Sequence, residues 1–132
     1  AIQQTRFDST GERRHFIELG WNLFGDKPLL GYGLDNFREY ARSYSHNNYI
    51  ELLVGVGVIG MTIFYAMFFY LFRIIAKMKD DNLKIIFSSF LLILLLMDLA
   101  RVSYDSRMLM YTLLFISVLV ERNIQSYNYV KK

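Results

Sequence analysis

One imidazole and a set of guanidiniums are the groups in this sequence best suited to chemistry. His46 leads into Asn47-Asn48-Tyr49-Ile50-Glu51 and then into 21 consecutive residues, 52–72, without a charge. A histidine titrates near neutral pH, so it can orient or deprotonate an attacking hydroxyl. Arginine's planar fork suits phosphate oxygens better than a lysine point charge, and it stabilises a departing phosphate without a metal. Arg13 is the first candidate for that role, with Arg14, Arg38, Arg42, Arg101 and Arg107 as additional cations. Asn47 and Glu51 add polar groups for binding beside His46. Plainer roles stay open for both principal residues. His46 also reads as a helix-start residue bonded to backbone, and Arg13 as a snorkelling side chain whose stem is packed on an apolar face.

These residues need elements to hold them. Ser9-Thr10-Gly11-Glu12 fits a capping box that opens a helix to Phe24, ended by a left-handed Gly25 and by Pro28. Ile17, Trp21 and Phe24 form its apolar stripe, headed by Arg13. The stretch Pro28-Leu29-Leu30-Gly31-Tyr32-Gly33-Leu34-Asp35-Asn36-Phe37 permits tight turns but lacks the Gly-Lys-Ser/Thr ending of a phosphate loop. Asp35 then caps a short surface-lying helix with Phe37, Tyr40, Ala41 and Tyr44 on one face. Ser45 caps the main helix, about 47–78, in which Gly55, Gly57 and Gly60 admit a neighbouring helix.

Composition points to a membrane. The chain has 132 residues, of which 54% are hydrophobic, concentrated in its second half. That segregation is typical of an integral membrane protein. Its charge-free runs 85–97 and 108–120 are 13 residues each. Alone they are short for spanning, and a soluble helical hairpin is the competing reading. Snorkelling Lys84 and an extension through Tyr104 bring them to spanning length. The fold class expected is therefore an all-α membrane protein: an outer helical loop over 1–48 and a membrane domain over 49–132, with spans near 49–73, 83–103 and 105–123.

Charge supports that topology. Residues 1–48 hold six basic and six acidic side chains, while 73–84 holds four basic and two acidic and the tail from 121 three and one. The positive-inside rule puts 73–84 and the C-terminus in the cytoplasm, and 1–48 and 98–107 outside. A nucleic-acid binder would instead gather its basic excess on one soluble face. Asp98 and Arg101 either neutralise each other on one helix face, or Arg101 or Arg107 faces the outer cavity of His46. There are no cysteines and two histidines. Neither a metal nor a cofactor is expected. A polar first residue run that starts with Ala1 reads as the C-terminal part of a longer polypeptide.

The ordered set Arg13, Trp21, Pro28-Leu29-Leu30-Gly31-Tyr32-Gly33-Leu34-Asp35-Asn36-Phe37, His46-Asn47-Asn48-Tyr49-Ile50-Glu51 and Gly57-Val58-Ile59-Gly60 resembles the O-antigen ligase and polysaccharide polymerase superfamily. The match covers about 9–72, close to half the chain. It implies a multi-span, metal-independent glycosyltransferase of the bacterial cytoplasmic (inner) membrane. The donor would be a polyprenyl-diphosphate-linked glycan, and a second glycan the acceptor. By that resemblance Arg13, or the adjacent Arg14, contacts the donor diphosphate, and His46 orients the acceptor hydroxyl, the two converging at the outer rim. The superfamily has about ten or more spans against three here, so N-terminal helices elsewhere in the full-length protein would complete the groove, and this portion alone would be inactive. Polymerisation of repeat units is the leading expectation. Ligation to lipid A, oligosaccharide transfer to protein, and a non-catalytic transport component are the alternatives.

Overall fold

The computed structural model describes residues 9–130, which form five helices and their connecting turns with no strand among them. They are α1 (Ser9–Asp26), α2 (Phe37–Ala41), α3 (Asn48–Ile75), α4 (Asp81–Met97) and α5 (Arg107–Val130). The all-helical class is as the apolar periodicity predicts. The Ser9–Glu12 capping box rests on a side chain outside the described residues.

α1 lies on the first half of α3, but through a different face from the one expected. Phe16, Leu19 and Leu23 pack against Phe37, Ile50 and Val54, with the rings of Phe16 and Phe37 edge to face at 6.2 Å. Ile17 and Trp21 point outward, Trp21 at 54% exposure. The reason is Gly20, which shares the inner face with Phe16 and Leu23: a Cβ there would collide with the Ile50 side chain. Close approach of two helices selects the face with the small residue over the face with the larger apolar ones. Nor does Gly25 end the helix in a left-handed cap, since α1 runs through it to Asp26.

α3 is interrupted at Gly57, whose φ of 63° and ψ of −169° belong to a region open essentially to glycine. In an uninterrupted helix Val58 and Ile59 would donate to the carbonyls of Val54 and Gly55. Instead residues 28–33 are inserted between these partners. Tyr32 N and Gly33 N donate to Val54 O and Gly55 O at 2.8 and 2.7 Å, and Val58 N and Ile59 N donate to Pro28 O and Leu29 O at 2.9 and 3.3 Å. These four groups are thus re-bonded, as an apolar surrounding requires. Gly55 and Gly57 therefore admit the 28–33 turn and not a neighbouring helix, while Gly60 faces Val56 of its own helix: a Cβ on Gly31 would lie 2.5 Å from the Gly55 backbone, and one on Gly57 would collide with the Leu29 carbonyl.

Two further expectations about caps are corrected. Asn36, not Asp35, precedes α2; Asp35 adopts a left-handed φ of 64°. Asn47, not Ser45, caps α3, its Oδ1 accepting from Tyr49 N and Ile50 N.

Beyond the break, α3, α4 and α5 share a second core built on Phe68, Leu71, Ile75, Leu91, Leu113 and Val120. α4 has 17 residues, about 25 Å at 1.5 Å each. It does not extend through Tyr104: residues 98–106 are a turn, and α5 begins only at Arg107 and runs on past Glu121 to Val130. Among the described residues α3 is the one helix long and apolar enough to cross a membrane, and 28% of its most apolar window is buried. The same three helices leave Ile63, Phe69, Ile85, Leu114 and Phe115 more than 60% exposed. Apolar surface of that extent is unusual on a soluble monomer.

Gly57→Ala should destabilise the chain by at least about 2 kcal/mol, since left-handed strain adds to collision with the inserted turn. Thermal unfolding in detergent would read it as a lowered midpoint. An unchanged midpoint would mean that the 28–33 turn is not seated in α3.

Candidate functional site

The N-terminal end of α3 carries a buried polar centre. Asn48 and Asp98 are 0% and 2% exposed, and a buried polar group needs every partner it can obtain. Asn48 obtains them. Its backbone N donates to Asp98 O at 2.8 Å. Its Nδ2 lies 3.1 Å from Asp98 Oδ2 and 3.1 Å from Tyr65 OH. Its Oδ1 accepts from Ser103 N at 2.8 Å and Tyr104 N at 3.0 Å. Asp98 in turn accepts from Tyr65 OH at 2.8 Å, and on its other oxygen from Ser103 Oγ. Tyr49 stacks on Tyr65 with ring centroids 5.0 Å apart and donates to Leu95 O, one of the carbonyls that the end of α4 leaves over.

This centre fixes the 98–106 turn against the start of α3. Arg101 lies between Asp98 and Ser103, both tied to Asn48, so its backbone is held on each side. Asp98 is committed inward, and the expected Asp98–Arg101 pair does not form. Among the described residues Arg101 enters no ion pair; those present are Asp35–Arg38 and Asp81–Lys84.

His46 is held from the opposite side. Glu51, buried at 3% exposure, accepts from Ser45 N at 2.8 Å through Oε1. Ser45 Oγ accepts from Asn47 N and donates to Asn47 O. With both neighbours tied, His46 takes a left-handed φ of 56°. Few residues other than glycine adopt such a backbone without an external constraint. The imidazole is thereby turned outward and exposed. It lines a cleft of about 240 Å³ with Tyr44, Ala100, Arg101, Val102 and Asp105. At Tyr104, next to Asp105 in the chain, burial, followed by the Glu51 and Asp35 carboxylates, pushes the phenol up from the ordinary value.

The expected residues therefore divide. His46 and Arg101 share one cleft. Arg38 is one step removed: its guanidinium stacks 3.5 Å from the ring centre of Tyr44 and pairs with Asp35 at 3.4 Å. Arg42 ends α2 with a left-handed φ of 54° and is exposed. Asn47 and Glu51 are spent on capping and on bracing the Ser45 turn. Arg107 opens α5, exposed and outside the cleft lining. Arg13 and Arg14 are exposed on α1, and neither lines the cleft of His46. Asn48, Tyr65 and Asp98 were not among the candidates. The one hint to them was an aspartate at the end of a charge-free run, and its partner is 50 positions away.

No group of histidine, cysteine or carboxylate side chains able to hold a metal ion occurs among the described residues. Comparison of the chain with protein-family models, with curated proteins and with solved structures finds no match in any of the three.

Asn48→Ala would leave two backbone amides and Asp98 short of partners, each worth about 1–3 kcal/mol when buried. A loss of about 3 kcal/mol or more is expected in detergent unfolding, against less than about 1 kcal/mol for the exposed Arg107→Ala. Equal losses in the two variants would remove Asn48 from its central position.

Proposed function

We propose that this chain is the acceptor-orienting and phosphate-gripping portion of a membrane glycosyltransferase that polymerises polyprenyl-diphosphate-linked repeat units at the outer face of a bacterial cytoplasmic membrane. The observation that carries the reading is the cleft shared by His46 and Arg101 at the outer end of an apolar helix of spanning length. The ordered motifs that resemble the polysaccharide polymerase superfamily supply the reaction class.

In this reading α3, α4 and α5 cross the membrane, with 98–106 and the start of α3 on one side and 73–84 on the other. The hydrogen bonds between Asn48 and Asp98 support the first half of that arrangement, and the basic excess of 73–84 supports the second. His46 takes the proton, or a hydrogen bond, from the acceptor hydroxyl as it attacks the anomeric carbon. Arg101 stabilises the negative charge that gathers on the departing diphosphate. Asp105 accepts from sugar hydroxyls. The resemblance gives the donor diphosphate to Arg13; the cleft favours Arg101 for the phosphate nearest His46. Arg13 then serves the rest of the donor from the open face of α1, alongside helices contributed by the full-length protein.

In the full-length protein, His46→Ala and Arg101→Gln should each lower long-chain polysaccharide by about a hundredfold at normal protein level. Lipid-linked repeat units should accumulate. Unchanged chain length in both variants would defeat the reading. Kept chain length with loss of glycan on its final acceptor would transfer it to the ligase alternative.

A further inference from the structure

Arg101 lines a second cavity as well as the cleft of His46. This one is a groove of about 270 Å³ between α4 and α5. Its walls are Phe90, Leu94 and Met97 on one side and Met108, Leu109 and Thr112 on the other. Thr112 donates its hydroxyl to Met108 O, so that polar group is engaged within α5. The polar groups collect at one end, where Asp98, Ser103, Ser106 and Arg101 stand. Three of these four are engaged within the fold. Asp98 takes hydrogen bonds from Asn48, Tyr65 and Ser103, and Ser106 Oγ takes one from Leu109 N. Arg101 is the exception, exposed and in no ion pair among the described residues.

The arrangement is amphiphilic along its length: an apolar trough, then an unengaged guanidinium, then a polar cleft with an imidazole. The guanidinium is common to both spaces. From this we infer that the α4–α5 groove holds the hydrocarbon chain of a phosphate-headed lipid, with Arg101 on its phosphate head and the far end of the headgroup directed toward His46. Charge complementarity names the head, because an arginine fork without a carboxylate partner selects phosphate oxygens. The apolar walls name the tail, since a free phosphate or a soluble sugar phosphate would leave them uncovered. Asp105 and the inward Asp98 flank Arg101, so the headgroup is held by one cation. A doubly charged phosphate would therefore be disfavoured as it moves toward either carboxylate, which leaves the cleft as its outlet. The inference rests on the function proposed above and specifies where the chain of its donor runs.

The test uses the absence of cysteine from this chain. In the full-length protein, freed of any other thiols and held in detergent micelles, Thr112→Cys places a single thiol on the groove wall, and Thr62→Cys places one on the exposed face of α3 as a control. A maleimide labelling rate is measured with a polyprenyl monophosphate, with the neutral polyprenol of equal length, and with inorganic pyrophosphate. The expected result is slowing of at least about tenfold at Thr112→Cys by the polyprenyl monophosphate alone, equivalent to about 1.4 kcal/mol of binding. The double variant with Arg101→Gln should lose that protection. Should Thr112→Cys not fold, Phe90→Cys reports from the facing wall. Unprotected thiols at both groove positions, equal slowing at Thr62→Cys, or protection undiminished by Arg101→Gln would each overturn the inference. The two proposals separate cleanly in the outcome. Loss of polysaccharide in His46→Ala with no groove protection keeps the function and discards the groove. Groove protection with normal polysaccharide in His46→Ala does the reverse.

Discussion

The arrangement around the start of α3 depends on one buried contact, that of Asn48 with Asp98. An amide is suited to this place because it has two donors and an accepting oxygen on a short stem. Asn48 uses them in three directions, toward Asp98, toward Tyr65 and toward the amides of Ser103 and Tyr104. The carboxylate answers with its two oxygens and its own backbone carbonyl. In a low-dielectric setting such a network is strong when complete and costly when any member is missing. Completeness here is what converts two distant turns into one rigid surface.

A second constraint acts through backbone alone. The 28–33 turn enters α3 at Gly57 and exchanges four hydrogen bonds with it. The first segment of α3 is thereby redirected from the apolar segment that follows, and α1 and α2 are anchored to that first segment. Residues 58–75 that follow measure about 27 Å, close to the hydrocarbon thickness of a bilayer. The break thus separates a part of α3 that carries the site from a part whose length suits a membrane. A broken helix is tolerated in apolar surroundings where other protein groups satisfy the freed amides and carbonyls, and the turn supplies four such bonds here. His46 and its left-handed backbone stand on the redirected part, held by Glu51 and Asn47.

Much was legible locally. Apolar runs without charge gave the helices, because helix content follows from local periodicity and short-range hydrogen bonding. His46 could be singled out because its neighbours, Asn47 to Glu51, form a polar cluster at the entrance of an apolar run. Its cation partner could not be chosen. Arg101 was one of several candidates, and the local rule of opposite charges three residues apart argued for pairing it with Asp98. That rule assumes a continuing helix, whereas the helix ends at Met97 and the carboxylate turns inward to Asn48. The stripe of Ile17, Trp21 and Phe24 misled for a related reason. Periodicity ranks faces by size and apolarity, while α1 docks by the face on which Gly20 leaves room for Ile50.

From the amino-acid order alone came the helical class, the segregation of apolar from charged stretches, the run 52–72 with spanning length, and the choice of His46 as the candidate group. These are properties of neighbours along the chain, set by side-chain type and helical period. Folding decided which arginine stands with His46, which carboxylate is committed inward, and why the glycines of α3 are where they are. Each of those depends on groups some 20 to 55 positions apart meeting without water between them. Only the packed chain determines which polar groups lose their water, and a group that loses it must take whatever partner the fold brings within reach.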